Sequence, residues 1–201
     1  MPSTQLHGPI TPTAVHLCLD MQNLFAPGAA WGTPWLPRVL PVVEAISSRF
    51  PERTVFTQFL TPNSGEEMPG TWANYYRKWS ALTRDRVDPA LFDVLPELQR
   101  YVPPATVLKK YRYSAFAKTG LADLLHERRA DTLVITGSET DVCVVATVFA
   151  AVDRGLRVII VKDGICSSSD EGHDAMLKVY GGRCSEQIEI ADAETILSAW
   201  N

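Results

Sequence analysis

The chain has 201 residues, of which 46% are hydrophobic and 21% charged, a composition that suits one globular domain rather than two. Its net charge of −4 is spread along the sequence, without the basic stripe of nucleic-acid-binding proteins or the basic amphipathic helix of membrane-surface proteins. No apolar run reaches the roughly 20 residues of a membrane span. Because the charge pattern favours neither a nucleic acid nor a membrane surface as partner, we expect a small-molecule substrate.

The first segment, residues 1–13, is predicted to be a polar tail that leads into a single domain over residues 14–201. This segment lacks the basic and then apolar layout of a signal peptide. The four cysteines, at positions 18, 143, 166 and 184, show none of the short spacings that mark zinc sites or disulfide frameworks. We therefore expect a cytoplasmic protein with reduced cysteines.

Six apolar, β-branched runs predict the strands of a sheet. In chain order they are residues 14–20, 54–60, 105–110, 131–137, 156–164 and the weaker 187–192. The central runs are apolar almost throughout, which is typical of strands covered on both faces. Helical patterns alternate with them, and this alternation predicts a parallel sheet with helices on both sides. The predicted helices are residues 35–50, 121–128, 142–154 and 170–180.

One stretch, at about residues 61–104, departs from this rhythm as a long insertion rich in Pro, Trp and Tyr. Trp72, Tyr75, Tyr76 and Trp79 fall at i, i+3, i+4 and i+7, so a helix places all four on one face. Two interpretations are open. The face either packs onto the domain or a second subunit, or it forms an aromatic wall or lid over a pocket.

Reactive side chains follow three of the predicted strands. Asp20 ends the first run, Lys110 ends the third, and Cys143 follows the fourth by six residues. Because ligands of open parallel sheets bind beyond the carboxyl ends of the strands, these three are expected to converge. The start of a helix and a nearby ammonium both favour the thiolate form of Cys143. Asp163, at the end of the fifth run, is a weaker candidate by the same criterion.

Four sequence runs together resemble the isochorismatase-like superfamily. They are LCLDMQNLF (17–25), LKKYRYSAF (108–116), VITGSETDVCVVAT (134–147) and DGICSSSDEGHDAML (163–177). The resemblance covers about residues 14–192, and it points to the cysteine hydrolases of the amidohydrolase branch, related to nicotinamidase and N-carbamoylsarcosine amidase. It implies a Rossmann-like, three-layer α/β/α fold with a six-stranded parallel sheet and a triad of Asp20, Lys110 and Cys143.

The resemblance implies further features of the site. The Ser138–Glu139 peptide bond is expected to be cis, and the backbone N–H groups of Glu139 and Cys143 are expected to form an oxyanion hole. No cofactor is expected. No metal is expected either, because the place where nicotinamidases carry an Asp-x-His metal cluster reads FTQFLTPNSGEE here and holds no histidine.

The function implied is cysteine-dependent cleavage of a C–N bond in a small amide, ureide or carbamoyl compound, through a thioester intermediate. True isochorismatases have Gly where this chain has Cys143, and the thiol favours acyl transfer. Three alternatives stay open: an isochorismatase-type ether hydrolase, a non-catalytic binding protein on the same fold, and a redox-sensing thiol protein. The resemblance also implies a homodimer or homotetramer.

The substrate pocket is the least specified part of the sequence. The candidate lining residues are Phe25, Trp31, Gln58, Trp72, Tyr76 and Tyr113. The aromatic members would supply the apolar walls that small-molecule sites usually have, while Gln58 and Tyr113 would supply hydrogen bonds. Each of them has packing in the core or at an interface as its alternative role.

Overall fold

The computed structural model of the chain describes residues 6–200, and its centre is a six-stranded sheet in which all neighbouring strands are parallel. The strands are β1 Val15–Leu19, β2 Thr54–Phe59, β3 Thr106–Lys110, β4 Thr132–Ser138, β5 Arg157–Cys166 and β6 Ile188–Ala191. Each of them overlaps one of the six predicted runs, so the prediction of a six-stranded parallel sheet is confirmed.

The strand order is β3-β2-β1-β4-β5-β6. The chain therefore winds outward from β1 to β3, returns to place β4 beside β1, and winds outward again on the other side. At such a reversal the loops that leave the two central strands diverge and open a crevice at their carboxyl ends. Leu19 pairs with Gly137 at this point, which brings the segments after β1 and β4 together.

Seven α-helices lie within residues 6–200. They are α1 Leu36–Arg49, α2 Thr71–Lys78, α3 Pro96–Gln99, α4 Leu121–Glu127, α5 Val145–Val152, α6 Asp170–Lys178 and α7 Ala193–Ala199. A π-helical turn, Thr140–Val144, runs directly into α5, so the predicted helix at residues 142–154 begins with a wider turn that contains Cys143. No helix in this part of the chain is long and apolar enough to cross a membrane.

The helices cover both faces of the sheet. Val15, Leu17 and Leu19 of β1 belong to an apolar cluster with residues of α4 and α5. Cys18, which alternates with them, belongs to a second cluster that contains residues of α1 and α3. Since successive side chains of a strand point to opposite faces, these two clusters are the two interfaces of a three-layer α/β/α fold.

Part of the segment expected to be a polar tail is packed onto the domain. Ile10 is buried, and its backbone pairs with that of Trp200. The Arg157 guanidinium donates hydrogen bonds to the carbonyl oxygens of Gly8 and Pro9 at 2.9 and 2.6 Å. The apolar side chain of Ile10 explains this anchoring, and the prediction of a tail is therefore corrected for residues 6–13. Residues 1–5 lie outside the described part of the chain.

Candidate active site

Asp20 is the residue that follows β1, and its side chain is completely buried. Its φ of 52° lies in the left-handed region, which aspartate adopts more readily than most residues. Its backbone N–H donates to the Thr57 hydroxyl at 3.0 Å, and that hydroxyl donates to the Asp20 carboxylate at 2.5 Å. Two bonds to one residue of β2 thus fix the orientation of the carboxylate.

Lys110 is the last residue of β3, and it is also completely buried, whereas Lys109 beside it is exposed. The Lys110 ammonium lies 2.7 Å from the Asp20 carboxylate and 3.4 Å from the Cys143 sulfur. It also donates to two backbone carbonyl oxygens of the following loop at 3.1 Å. Burial opposes the charge of Lys110, but the Asp20 carboxylate and Cys143 outweigh burial and raise the pKa of the ammonium.

Cys143 lies in the π-helical turn, and the first turn of α5 holds its backbone. The Thr147 hydroxyl donates to the Cys143 carbonyl oxygen at 2.7 Å and accepts from the Ala115 N–H at 3.0 Å. This one hydroxyl therefore ties the loop after Lys110 to the turn that carries the sulfur. The structure brings Asp20, Lys110 and Cys143, which are far apart in the sequence, into one contact cluster.

The protonation of Cys143 differs from the sequence-based expectation. Burial raises the pKa of the thiol, the Lys110 ammonium lowers it, and the Asp20 carboxylate raises it again, so that the pKa lies above its ordinary value. The helix start and the ammonium, which favoured a thiolate, are outweighed because the sulfur is almost completely removed from water. This direction favours the protonated thiol, which needs a proton acceptor to react as a nucleophile.

Two glycines allow the elements around the sulfur to approach closely. Gly137 has a φ of +106°, and a Cβ there would lie 2.0 Å from the Leu19 carbonyl oxygen. A Cβ at Gly172 of α6 would lie 2.1 Å from a carboxylate oxygen of Asp141 in the π-helical turn. Any side chain at these positions would force β1 away from β4, or α6 away from the turn. The Ser138–Glu139 bond between β4 and the turn is cis.

Hydrogen bonds connect the π-helical turn to the end of β5 and to α6. The Thr140 hydroxyl donates to the Cys166 carbonyl oxygen at 3.1 Å and lies 2.9 Å from Nδ1 of His173. Because a hydroxyl has one proton, His173 must be the donor in the second bond, which assigns the proton to Nδ1. Sequence analysis did not assign a role to Thr140 or His173, although both lie in the runs that carry the family resemblance.

A cavity of about 400 Å³ opens beside the Cys143 side chain. Its walls contain six aromatic side chains, those of Phe25, Trp31, Phe59, Tyr75, Trp79 and Tyr113. The polar lining includes Glu139 and Ser168, and the Ser168 N–H donates to the Glu139 carboxylate at 3.1 Å. A volume in this range suits a small molecule, and the aromatic walls favour apolar or planar groups.

The predicted pocket residues divide into two groups. Phe25, Trp31 and Tyr113 line the cavity, but Gln58 does not. The Gln58 side chain donates to the Phe92 carbonyl oxygen at 2.8 Å, so it fixes the insertion against the sheet. Adjacent residues of a strand face opposite sides, and it is Phe59 that reaches the cavity.

The aromatic residues of α2 are also divided. The Trp72 ring contacts those of Tyr76 and Tyr113, with centroids 6.2 and 4.8 Å apart, and Tyr76 is completely buried. Neither Trp72 nor Tyr76 lines the cavity, which corrects the prediction for both. Tyr75 and Trp79 take that place instead. Trp72 and Tyr76 therefore serve packing, and Tyr75 and Trp79 form part of the cavity wall.

Two further candidates can be placed. The Asp163 carboxylate accepts a hydrogen bond from the Ala193 N–H at 3.0 Å and does not line the cavity. It therefore caps the start of α7. Within residues 6–200, no group of three or more His, Cys, Asp and Glu side chains is arranged to hold a metal ion.

Comparison with known proteins places this site in a family. The isochorismatase domain model matches residues 14–192. The chain is 34% identical over 97 residues to an uncharacterized isochorismatase family protein, PncA, of Bacillus subtilis (strain 168), a match that covers 47% of this chain and 53% of that protein. It is 38% identical over 87 residues to maleamate amidohydrolase of Pseudomonas putida, covering 43% and 41%. The matches span about half the length of these curated relatives.

A solved structure shows the same fold over the whole chain. A cysteine hydrolase of Pseudomonas syringae pv. phaseolicola 1448A superposes with a TM-score of 0.82, with 20% identity and coverage of 100% of both chains. At this identity the likeness shows the fold alone. The family model covers most of the sequence, including the segments that carry Asp20, Lys110 and Cys143. The chain belongs to the isochorismatase domain family.

Proposed function

We propose that the protein is a cysteine hydrolase that cleaves the C–N bond of a small amide, ureide or carbamoyl compound. The observation that carries this proposal is the contact of a completely buried ion pair, Asp20 and Lys110 at 2.7 Å, with a sulfur that borders a cavity. Burying two charges is costly to a fold, so a buried pair beside a nucleophile favours a chemical role. The similarity to maleamate amidohydrolase supports an amide substrate, and the thiol of Cys143 favours acyl transfer over hydrolysis of an ether.

In the first half of the reaction, Asp20 accepts the proton of the Cys143 thiol, and the thiolate attacks the carbonyl carbon of the substrate. The new C–S bond leaves a negative oxygen, which the backbone N–H groups of Glu139 and Cys143 stabilise as an oxyanion hole. The C–N bond then breaks, and protonated Asp20 gives its proton to the leaving amine or ammonia. The product of this half is a thioester on Cys143 and a free carboxylate at Asp20.

In the second half, Asp20 accepts a proton from water, whose oxygen attacks the thioester carbon. The C–S bond breaks, the proton returns to the sulfur, and the acid leaves. Lys110 stays charged throughout, and this role follows from the raised pKa of its ammonium. Its position between the carboxylate and the sulfur stabilises a negative charge on either group, so the proton can move without an unpaired charge in the buried site.

The test is the substitution of Cys143 by Ala and by Ser, assayed on a panel of small amides, ureides and carbamoyl compounds. We expect turnover to fall by about a thousandfold or more in both variants, because the covalent route is lost. Cys184→Ala is the matched control, since Cys184 is a half-exposed cysteine that does not line the cavity. Turnover that survives both Cys143 substitutions would refute the nucleophile. Conversion of isochorismate unaffected by Cys143→Ala would instead support an ether hydrolase.

A further inference from the structure

The charge of the cavity walls differs from that of the cluster behind them. Glu139 is the only Asp, Glu, Lys, Arg or His among the residues that line the cavity. Lys110 is completely buried, and its charge is balanced by Asp20. Within residues 6–200, no Lys, Arg or His side chain forms an ion pair with Glu139. The one charged side chain among the lining residues is therefore a carboxylate without an ion-pair partner in this part of the chain.

The charge of Glu139 acts on the aromatic walls. Burial raises the pKa of Tyr113, and the nearby Cys143 and Glu139 raise it further. Burial also raises the pKa of Tyr75, with further contributions from Tyr113, Tyr76, Cys143 and, last, Glu139. Burial disfavours a charge of either sign, whereas the Glu139 carboxylate disfavours a negative group in the cavity and favours a positive one.

The aromatic rings reinforce this preference. The Trp31 ring is the centre of the wall, with the rings of Phe25, Phe59, Tyr75 and Trp79 at centroid distances of 5.6 to 6.3 Å. The face of an aromatic ring is negative, and it attracts cations within about 6 Å of its centroid. Two of these rings already hold protein cations: the Lys110 ammonium lies 4.8 Å from the Phe59 centroid, and that of Lys78 lies 5.4 Å from the Trp79 centroid.

We propose that the cavity selects amides that carry a positive charge, such as a quaternary ammonium group close to the amide, and rejects amides that carry a carboxylate. This inference rests on the proposed function and names the substrate class of the same site. No Lys, Arg or His side chain lines the cavity, so a carboxylate would lose its hydration without gaining a direct contact with a cation. The relative's named substrate, maleamate, is an anion of the rejected kind.

The test is a binding comparison in the Cys143→Ala variant, which cannot form the thioester. Betaine amide and 3,3-dimethylbutanamide have the same shape, because a quaternary nitrogen in the first replaces a quaternary carbon in the second. Titration calorimetry is expected to give betaine amide a Kd about tenfold lower than that of 3,3-dimethylbutanamide. The Kd of maleamate is expected to be about tenfold higher than that of 3,3-dimethylbutanamide. Equal binding of the isosteres, or tighter binding of maleamate, would overturn the proposal.

The role of Glu139 has its own control. Glu139→Gln in the Cys143→Ala background is expected to reduce the preference for betaine amide at least about threefold, because one of the two sources of selectivity is removed. Glu97→Gln makes the same change in net charge at an exposed position that does not line the cavity, and it should leave the preference unchanged. If the ratio of the Kd values of betaine amide and its neutral isostere is unchanged in Glu139→Gln, the contribution of this carboxylate is refuted.

The two proposals fail separately. If the Cys143→Ala variant prefers the cation but the wild-type protein hydrolyses no amide in the panel, the selectivity stands and the hydrolase proposal fails. If the wild-type protein hydrolyses amides through Cys143 but does not distinguish the isosteres, only the selectivity proposal fails.

Discussion

Two clusters of buried polar side chains share strand β1 but differ in charge and surroundings. His16, in the strand, lies 3.1 Å from the Thr54 hydroxyl of β2 and 2.8 Å from the Thr136 hydroxyl of β4. Asp20, just beyond the strand, pairs with Lys110 at 2.7 Å and borders the cavity through Cys143. All of these side chains except that of Cys143 are completely buried.

The His16 cluster is neutral, and each of its hydrogen bonds has a defined donor. The Thr54 hydroxyl donates to the Phe50 carbonyl oxygen at 2.9 Å, so it accepts from His16 and the imidazole proton lies on Nδ1. Nε2 then accepts from the Thr136 hydroxyl. Burial lowers the pKa of His16 to about 3, which keeps the ring neutral under ordinary conditions. Such a cluster stabilises strand pairing and leaves nothing available for chemistry.

The second cluster contains opposite charges and the proposed nucleophile at the edge of the sheet. Asp20 and Lys110 form an ion pair in a buried site, and the Lys110 ammonium lies 3.4 Å from the sulfur of Cys143. The comparison teaches that burial of polar residues alone does not mark function. A buried cluster is reactive where it combines charge, a nucleophile and access to a cavity, and it is structural where every donor has a neutral acceptor.

The largest expected effect is a loss of turnover without a loss of stability, and it concerns the ion pair of Asp20 and Lys110. The double variant Asp20→Asn with Lys110→Met removes both charges, so no unpaired charge is left in the site. We expect turnover of the amide substrate to fall by about a thousandfold or more, since the proton acceptor is lost. Stability is expected to be unchanged or improved, because neutral replacement of a buried ion pair often costs nothing.

Steady-state kinetics and urea unfolding of the same preparation measure the two effects. Lys109→Met is the matched control, since Lys109 precedes Lys110 on β3 but is exposed. An active double variant would contradict the role assigned to the pair.

The second effect is on stability and belongs to the neutral cluster. His16→Leu leaves the Thr136 hydroxyl without its buried partner, and it is expected to lower the free energy of unfolding at pH 8 by about 1–3 kcal/mol. Turnover per folded molecule should not change, because His16 does not line the cavity. If fully folded His16→Leu loses turnover, the two clusters are not functionally independent.

The difference in stability between wild type and His16→Leu, followed with pH, isolates the contribution of His16. The folded pKa is about 3, below the ordinary value of 6.5, so below pH 6.5 the unfolded chain binds a proton that the folded protein does not. Wild-type stability therefore falls with decreasing pH, by about 1.4 kcal/mol per pH unit from this group. The difference between wild type and His16→Leu should narrow by about 2 kcal/mol from pH 8 to pH 5. His126→Gln, at an exposed histidine of α4, should show no such narrowing.

The smallest effect tests whether a buried carboxylate away from the nucleophile matters to activity. Glu189 of β6 accepts hydrogen bonds from the Arg157 guanidinium at 2.6 and 2.8 Å and from the His7 N–H at 2.6 Å. A cavity of about 420 Å³ lies beside these residues, at the amino ends of β5 and β6. Glu189→Gln is expected to lower the free energy of unfolding by about 1–2 kcal/mol without changing turnover.

Burial raises the pKa of Glu189, but the hydrogen bonds and charge of Arg157 and the His7 N–H lower it more, so the folded pKa is depressed. The stability that this carboxylate contributes is therefore present above its ordinary pKa and is lost as the pH falls through the folded pKa. Urea unfolding of wild type and variant should converge in acid. A constant difference down to pH 3 would contradict this assignment.

The sequence predicted the fold and the proximity of Asp20, Lys110 and Cys143, because both depend on local patterns. Apolar runs predict strands covered on both faces, and the end of each run locates Asp20, Lys110 and the turn of Cys143 near one edge of the sheet. The family resemblance then selects Lys110 over Lys109. Strand alternation supports that choice in the structure, where the first is buried and the second exposed.

The cavity walls could not be predicted as well, because they depend on how an insertion is rotated against the domain. Trp72 and Tyr76 form one row of the helix, and Tyr75 and Trp79 form the neighbouring row. The spacing is the same for both rows, so the pattern cannot tell which of them faces the cavity. The burial of Cys143 could not be predicted for a related reason: the sequence shows the helix start and the lysine, which favour a thiolate, but not the burial, which raises the pKa of the thiol.

The most direct measurement of the central claim is the mass of the protein during turnover. Rapid acid quenching of wild-type protein with an amide substrate, followed by intact mass and peptide analysis, is expected to find the acyl group of the substrate on the peptide that contains Cys143. The adduct should be absent in Cys143→Ala and present in Cys184→Ala. Sustained amide hydrolysis with no adduct on Cys143, and equal rates in Cys143→Ala, would contradict the account.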